Sequence, residues 1–256
     1  LVCYTISNKS EKRDTMNINL VPCLFILDQE TSNNIRKNDI KKLKLLVKKD
    51  RSLPSISFSL EKGLKGAVRS YITSVINTNY FHLEQVFAIG DKKYFDNSID
   101  LIFLCATNIE NIKDLSSDYE LVDFSIKNNN IINFDNNIYK YKTEERISDR
   151  NIDYVHNIFV DDLVLEKTLL EILVSYKRLR TMIDNSDIIF KFMTKEFTLE
   201  DVRCVYEMIK DVTVDKSNFR KRIVKYVEKV EDKVDNRGYR PTQLYSFKPL
   251  KGDIWL

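Results

Sequence analysis

Residues 1–110 contain short apolar runs that predict β-strands. Each run is rich in β-branched side chains and is bounded by polar or charged residues, a pattern typical of strands. The runs cover Ile18 to Leu27, Lys41 to Lys49, His82 to Gly90 and Ile99 to Thr107. Pro22 has no backbone N–H to donate, and it therefore predicts an edge position or a bulge for the first strand.

The segment between the second and third runs has helical periodicity instead. From Leu60 to Ile76, apolar side chains recur every three or four residues along one face. These side chains are Leu60, Leu64, Ala67, Val68, Tyr71, Ile72 and Val75. Strands on both sides of a helix predict an α+β fold for a first domain over residues 1–160. We expect residues 1–16 to be a disordered leader and the Asn-rich residues 127–137 to be an exposed loop.

The pattern changes to helices after residue 160. Val160 to Ile183 carries acidic residues early and basic residues late, as the helix dipole favours. Further along, two segments with apolar stripes are followed by a glycine-centred turn and a β-like run. They are Phe197 to Lys210, Asp215 to Glu231, Asp235 to Arg240 and Pro241 to Phe247. This order predicts a DNA-binding winged helix-turn-helix within a second domain over residues 161–256.

The second of these helices has a basic outer face. Its apolar stripe consists of Phe219, Ile223, Tyr226 and Val227. The outward residues, which we predict to contact DNA, are Lys216, Ser217, Asn218, Arg220, Lys221, Arg222 and Lys225. In the major groove, Asn can read adenine and Arg can read guanine. At the predicted wing tip, Arg237 and Arg240 flank Gly238 and suit phosphate or minor-groove contacts.

The positive charge of the chain is concentrated in this region. The whole chain has a formal net charge of +3, whereas residues 216–248 contain ten Lys or Arg against four Asp or Glu. The rest of the chain therefore has a balance of −3. A local excess of positive charge is expected of a surface that neutralises DNA phosphates.

Scarce residue types exclude several other classes of protein. The five glycines cannot form a GxGxxG motif or a P-loop, and no GxSxG motif is present. The two histidines have no Cys or His neighbour at metal-ligand spacing. We therefore predict neither a cofactor nor a metal. The four cysteines are far apart, which predicts reduced thiols and a cytoplasmic location, and no apolar run is long enough to span a membrane.

Four segments of the chain resemble the Nudix-related transcriptional regulators of the NrtR type. The segments are HLEQVFAIGD (from His82), FTLEDVRCVYEMI (from Phe197), DKSNFRKRI (from Asp215) and RGYRPTQLYSF (from Arg237). The resemblance implies a Nudix-like α/β/α sandwich that acts as a sensor, followed by a winged helix. It also implies a homodimeric bacterial repressor on palindromic double-stranded DNA. An ADP-ribose-like, nucleotide or sugar ligand would relieve DNA binding, and the regulated genes would serve NAD metabolism or sugar use.

The catalytic residues of the Nudix motif are missing from this chain. The motif reads G-x5-E-x7-R-E-U-x-E-E-x-G-U, where U is apolar, and its glutamates hold divalent cations. If Arg69 takes the motif arginine, Glu61 takes the first glutamate. The positions of the other three glutamates hold Ser70, Thr73 and Ser74. No Asp or Glu lies between Lys62 and Leu83. Because a hard-cation site needs several carboxylate oxygens, we expect hydrolase activity to be lost.

Three side chains near this motif are candidates for contact with a ligand: Arg69, Glu61 and Glu84. Each also has a structural alternative. Arg69 is either solvent-exposed or ion-paired to Glu61 or Glu84, and Glu84 is a buried structural partner. Two other functions also stay open: a Nudix hydrolase acting on a nucleoside diphosphate derivative, and a DNA-binding protein that responds to no ligand.

Overall fold

The structure is a computed structural model that describes residues 16–30, 40–58, 63–95, 97–148, 151–235 and 241–249. Residues 1–15 of the predicted leader, Glu61 and the predicted wing-tip residues Arg237 and Arg240 lie outside these ranges. Cys23, Cys105 and Cys204 carry free thiols, as predicted. Among the helices of the described ranges, none combines the length and the apolar character that a bilayer crossing requires.

A nine-stranded mixed sheet forms the first part of the described chain. Its strands are β1 (Asn17–Glu30), β2 (Ile40–Lys48), β3 (Ile56–Ser57), β4 (His82–Ile89), β5 (Ser98–Asn108), β6 (Tyr119–Lys127), β7 (Ile131–Phe134), β8 (Asn137–Ser148) and β9 (Asn151–Phe159). Their order is β4-β5-β1-β2-β6-β7-β8-β9, with β3 paired to β1. The four predicted strands are confirmed as β1, β2, β4 and β5. The other strands had no counterpart in the sequence prediction.

Strand β1 lies in the middle of the sheet and not at its edge. It pairs in parallel with β5 along one side. On the other side it pairs with β3 through Asn19 and Leu20, and then with β2 from Phe25 onward. Pro22 falls in the gap between these two ladders, where its missing N–H interrupts neither of them. The edge position predicted from Pro22 is therefore wrong.

Two helices cover opposite faces of the sheet and make a three-layer sandwich. They are α1 (Gly63–Ile76) and α2 (Leu163–Asn185). The predicted apolar face of α1 is confirmed over the described residues, and Val68 and Ile72 on it are fully buried. Adjacent strand residues point to opposite faces. Thus Leu24 belongs to the cluster beneath α1, whereas Phe25 belongs to the cluster beneath α2 with Tyr176.

The Asn-rich segment predicted to be an exposed loop forms two tight turns with β7 between them. Phe134 of β7 is only 2% exposed. The φ angles are 52° and 55° at Asn128 and Asn129, and 48° and 63° at Asp135 and Asn136. Between the paired residues Phe134 and Asn137, the two positive φ values fit a two-residue hairpin turn of type I′, which Asn and Asp tolerate well. The prediction was wrong because it treated asparagine as filler and not as a turn residue.

The elements of the second half follow α2 directly. They are a 3-10 turn (Ile188–Phe192), α3 (Leu199–Lys210), α4 (Lys216–Ile223), a second 3-10 turn (Val224–Tyr226), β10 (Val227–Asp235) and β11 (Thr242–Phe247). β10 and β11 pair antiparallel and form the wing. One cluster of buried side chains runs from the sheet through α2 into these elements, and it includes Phe25, Tyr176, Phe190, Ile223 and Tyr245.

Polar contacts also join the sheet, and the helix α2 that covers it, to α3. Lys41 Nζ on β2 lies 2.5 Å from Asp201 Oδ1 on α3, with the side chains only 7% and 17% exposed. The buried hydroxyl of Tyr176 on α2 donates to the carbonyl oxygen of Ile209 on α3 at 2.8 Å. The second half is therefore anchored to the sheet by both apolar and polar contacts.

Candidate nucleic-acid interface

Helix α3 begins with a cap at Thr198. The Thr198 hydroxyl accepts the N–H of Asp201 at 3.1 Å, and the Asp201 carboxylate accepts the N–H of Thr198 at 2.9 Å. This reciprocal capping box satisfies two donors that a helix start leaves unpaired. The predicted apolar face is confirmed, since Val202, Val205 and Ile209 are fully buried. Together the cap and this face fix the position from which α4 follows.

Helix α4 is shorter than the sequence predicted. Phe219 and Ile223, each 5% exposed, pack its inner side into the core. The helix ends at Ile223. Tyr226 lies in the 3-10 turn that follows, and Val227 opens strand β10. The predicted four-residue stripe therefore belongs to three successive elements. Recurring valines in the sequence after residue 226 favour a strand, and the helical spacing concealed that signal.

The outer side of α4 is polar and cationic. The exposed side chains are Lys216, Ser217, Asn218, Arg220, Lys221, Arg222 and, in the following turn, Lys225. Within the described residues, Arg220 and Lys221 make no ion pair. Lys216 lies 3.5 Å from Glu200 but is 73% exposed. Unpaired, exposed cations are available to phosphates or base edges, so Arg220 and Lys221 are the strongest candidates for DNA contact.

Arg222 has partners within its own domain. Its Nη2 atom lies 3.1 Å from Asp184 Oδ1 at the end of α2. Its guanidinium lies 5.1 Å from the ring centroid of Tyr206, and the side chain is 41% exposed. These contacts correct the fully outward orientation predicted from helical spacing. The spacing of α4 could not reveal that an aspartate from another helix lies beside it.

The wing is attached to the segment that precedes α3. Phe197 and Tyr245 exchange two backbone hydrogen bonds of 2.9 and 2.8 Å. Phe190 stacks on Phe247 with ring centroids 4.4 Å apart. A groove of about 360 Å³ separates α3 and α4 from β11, and Lys216 and Arg220 line it. Both predicted basic residues therefore border the space between the second helix and the wing.

Strand β10 contributes little positive charge of its own. Its two lysines, Lys229 and Lys233, stand against Glu228, Glu231, Asp232 and Asp235. Lys233 lies 2.6 Å from Glu196, whereas Lys229 is exposed and makes no ion pair within the described part of the chain. Lys229 is a further exposed cation, opposite Tyr245 in the wing, that sequence analysis did not single out.

Helix α1 carries the Nudix-motif positions on its exposed side. Arg69 Nη1 donates to the carbonyl oxygen of Asn79 at 3.3 Å, and its guanidinium lies 4.9 Å from the Phe81 ring centroid. Thr73 donates to Asn79 Oδ1 at 2.9 Å, and Ser74 donates to a carbonyl oxygen of its own helix at 2.7 Å. Among the described residues, no group of three or more His, Cys, Asp or Glu side chains could hold a metal ion.

Arg69 and Glu84 do not share one site. Glu84 on β4 accepts hydrogen bonds from Arg178 of α2 at 2.6 and 3.1 Å, and it lies 3.5 Å from His82 Nε2. Arg69 belongs to α1, on the opposite face of the sheet. The alternative of an ion pair between Arg69 and Glu84 is therefore wrong, whereas Glu84 does have a structural partner. Glu61, the third predicted ligand residue, lies outside the described ranges.

Comparison with known proteins identifies the second half most directly. Residues 189–247 match the family model of the NrtR DNA-binding winged helix domain. The crystal structure of Shewanella oneidensis NrtR complexed with a 27mer DNA is 17% identical, with a TM-score of 0.60 over 91% of this chain and 94% of that chain. A MutT/nudix family protein from Enterococcus faecalis is 13% identical, with a TM-score of 0.62 over 93% of this chain and 90% of that chain. No curated protein matches the chain in sequence.

The fold is therefore α+β: a Nudix-like sandwich followed by a winged helix domain. Residues 189–247 form a winged helix domain of the NrtR type. The resemblance seen in the sequence is confirmed for this domain by the family model, and the rest of the chain shares its fold with the two solved structures. These findings support a DNA-binding regulator of the NrtR type.

Proposed function

We propose that the protein is a transcriptional repressor of the NrtR type that binds palindromic duplex DNA as a homodimer. The observation that carries this proposal is the winged helix domain at residues 189–247, with the exposed cations Arg220 and Lys221 on α4. The complex of Shewanella oneidensis NrtR with a 27mer DNA supports a duplex as the partner. In such a dimer the two α4 helices would enter major grooves about one turn, ~34–36 Å, apart or a multiple of that distance.

Selection from random duplexes at moderate salt tests this proposal. One palindromic sequence should be enriched, and failure to enrich any site would contradict DNA recognition. If Arg237 at the wing tip binds phosphate, Arg237→Ala should reduce the slope of log affinity against log salt by about 1. Lys233→Ala is the matched control, because the Lys233 ammonium already pairs with Glu196. It should leave the slope unchanged.

The Nudix-like half, in our proposal, does not hydrolyse nucleoside diphosphate derivatives. Ser70, Thr73 and Ser74 supply no carboxylate for a divalent cation, and the hydroxyls of the last two hydrogen-bond to nearby backbone or side-chain oxygens. ADP-ribose should therefore release no AMP in the presence of Mg²⁺ or Mn²⁺. Release above a buffer blank that scales with protein concentration would favour the hydrolase alternative instead.

The same half would act as a sensor. A ligand can bind without a metal, since affinity requires a shaped pocket and a few polar groups. Any contacts from Arg69 and Glu84 would belong to different faces of the sheet, so they would serve different ligands or different parts of one large ligand. An ADP-ribose-like, nucleotide or sugar ligand should change operator affinity by ~1–3 kcal/mol. Calorimetric titration of the operator-bound protein distinguishes this sensor from a ligand-independent DNA-binding protein.

Helix α2 would transmit the signal in this scheme. We keep the domain boundary near residue 160, which assigns α2 to the DNA-binding half, although α2 also packs against the sheet through Tyr176. Its end holds Arg222 of α4 through Asp184. A ligand that favours one position of α2 over another would therefore shift α4 as well.

A further inference from the structure

A cationic side chain, that of Lys177, lies between α2 and the strands β8 and β9. Lys177 Nζ donates to Thr143 Oγ1 at 2.9 Å, and it lies 3.3 and 3.4 Å from Nδ1 and Nε2 of His156. It also lies 5.6 Å from the ring centroid of Tyr141. In the described ranges, no Asp or Glu forms an ion pair with Lys177. Three elements thus bring one ammonium, one imidazole and one hydroxyl together.

The hydrogen bonds of this cluster fit a neutral His156. The Thr143 hydroxyl accepts from Lys177, so its own proton is available to Nδ1 of His156, 3.1 Å away. His156 is then a neutral acceptor. Burial, and secondly the charge of Lys177, lower the pKa of His156 to about 4. Burial, and secondly Arg180, also lower the pKa of Lys177. The cluster is therefore short of negative charge.

Neighbouring charged groups do not supply that negative charge. Glu145 is two residues beyond Thr143 on the same face of β8, but it forms no ion pair with Lys177 in the described chain. Arg178 and Arg180 lie on the same helix as Lys177, and both have hydrogen-bond partners elsewhere. Among the described residues, α2 therefore places a cation beside the imidazole, and β8 and β9 place no ion-paired carboxylate beside it.

We propose that Lys177, His156 and Thr143 form a binding site for a phosphoryl oxyanion, supplied by inorganic phosphate or by a nucleotide. The oxyanion has enough acceptor oxygens to meet donors from α2, β8 and β9 at once. Its negative charge would balance Lys177 and allow His156 to take up a proton. The site lies outside residues 189–247, so phosphate binding can be measured without DNA.

Phosphate binding and protonation of His156 are thermodynamically linked, which makes the site measurable. The chain has two histidines, so proton NMR gives one signal for His156 and one for His82, which lies on β4 beside Glu84. Saturating phosphate should raise the pKa of His156 by about one unit, equivalent to about tenfold tighter binding to the protonated form. The pKa of His82 should stay the same.

A nucleoside diphosphate titrated in parallel identifies the source of the phosphoryl group. If the pKa of His156 reaches half of its shift at a lower concentration of the nucleoside diphosphate than of inorganic phosphate, the site binds a nucleotide. If the nucleoside diphosphate acts only at an equal or higher concentration than inorganic phosphate, the site binds the free ion. An unchanged pKa of His156 with both probes would overturn the proposal.

Substitutions show whether the response of His156 to phosphate comes from this site or from the overall charge of the protein. Lys177→Gln should raise the pKa of His156 without phosphate, because a like charge is removed, and should abolish the response to phosphate. Lys142→Gln is the matched control: Lys142 adjoins Thr143 but points to the other face of β8, where it lies 3.0 Å from Glu144. It should respond to phosphate as the parent does. A full response in Lys177→Gln would refute the assignment.

The His82 signal shows whether Lys177→Gln folds. If it does not fold, a second variant that changes no charge tests the site. Thr143→Val removes the hydroxyl from an exposed position and keeps the shape of the side chain. It should weaken phosphate binding several-fold while leaving the His82 signal in place. Unchanged phosphate affinity in Thr143→Val would also count against the site.

Discussion

Arg220 and Arg222 are two residues apart on α4, yet their side chains have different partners. Arg220 is exposed and unpaired among the described residues, whereas Arg222 binds Asp184 and lies over Tyr206. If Arg220 reads a base, Arg220→Ala should weaken binding to the selected operator by ~1–3 kcal/mol and relax specificity at one position. Its unfolding free energy should match that of the parent. Fluorescence anisotropy and urea unfolding measure the two quantities.

Arg222→Ala is the internal comparison for that experiment. It should lower the unfolding free energy by no more than about 1 kcal/mol, because the pair with Asp184 is partly exposed to solvent. It should weaken DNA binding mainly by changing the position of α4, so the loss of affinity should not be confined to one base. A site-specific loss with Arg222→Ala, and none with Arg220→Ala, would reverse our assignment of the two residues.

Glu171 makes the stability of the molecule depend on pH. It is 2% exposed on α2, and Lys167 Nζ contacts both Glu171, at 2.9 Å, and the buried Asp100. Burial raises the pKa of Glu171 to about 8. Between the ordinary glutamate pKa of about 4.3 and that value, the folded state holds a proton that the unfolded chain releases. Stability therefore falls as pH rises through this window.

Glu171→Gln should remove this contribution. Urea unfolding at about pH 5 and about pH 8 should show a smaller loss of stability in the variant than in the parent. Glu145→Gln, at an exposed position, should follow the parent. An equal loss in Glu171→Gln and the parent would mean that Glu171 does not titrate in this range.

At the scale of single elements, the turn between β7 and β8 depends on two residues with positive φ. Asn136 is exposed and has a φ of 63°. Asn136→Ala should lower the unfolding free energy by about 1 kcal/mol, since alanine tolerates the left-handed region poorly. Asn136→Gly, which carries no such penalty, should be close to the parent or more stable. Equal losses in the two variants would show that backbone conformation is not the cause.

This turn also shows what the sequence could and could not predict. Strands with strong apolar character and the helices with clear stripes were predicted well, because burial imposes a regular period. The hairpins from β6 to β8 were missed because their turns are built from Asn and Asp, which are equally common in loops. The end of α4 was misplaced because Tyr226 and Val227 continue a helical spacing that the backbone abandons at Ile223. Contacts between distant segments, such as that of Arg222 with Asp184, leave no trace in local spacing.

At the scale of the whole molecule, the ion pair of Lys41 and Asp201 joins the sheet to the winged helix. Both side chains are largely buried. Lys41→Met should destabilise the protein by ~3–5 kcal/mol, because it leaves the Asp201 carboxylate without its cation. Urea unfolding measures this loss. Asp201→Asn in the Lys41→Met background should recover part of it, and the double-mutant cycle gives the coupling energy. Additive losses would indicate that the two charges do not interact.

The uninterrupted core from Phe25 through Tyr176 to Ile223 has a consequence for the length of the DNA site. A winged helix on a flexible tether could follow its half-site along the duplex, but here α4 is held to the sheet. Each inserted base pair rotates one half-site relative to the other by about 35° and moves it along the axis. Two α4 helices held in fixed positions cannot follow that rotation unless the duplex bends or buried contacts break. In a dimer, operators with one base pair added between the half-sites should therefore fail outright, and those with a full helical turn added should fail unless the duplex bends.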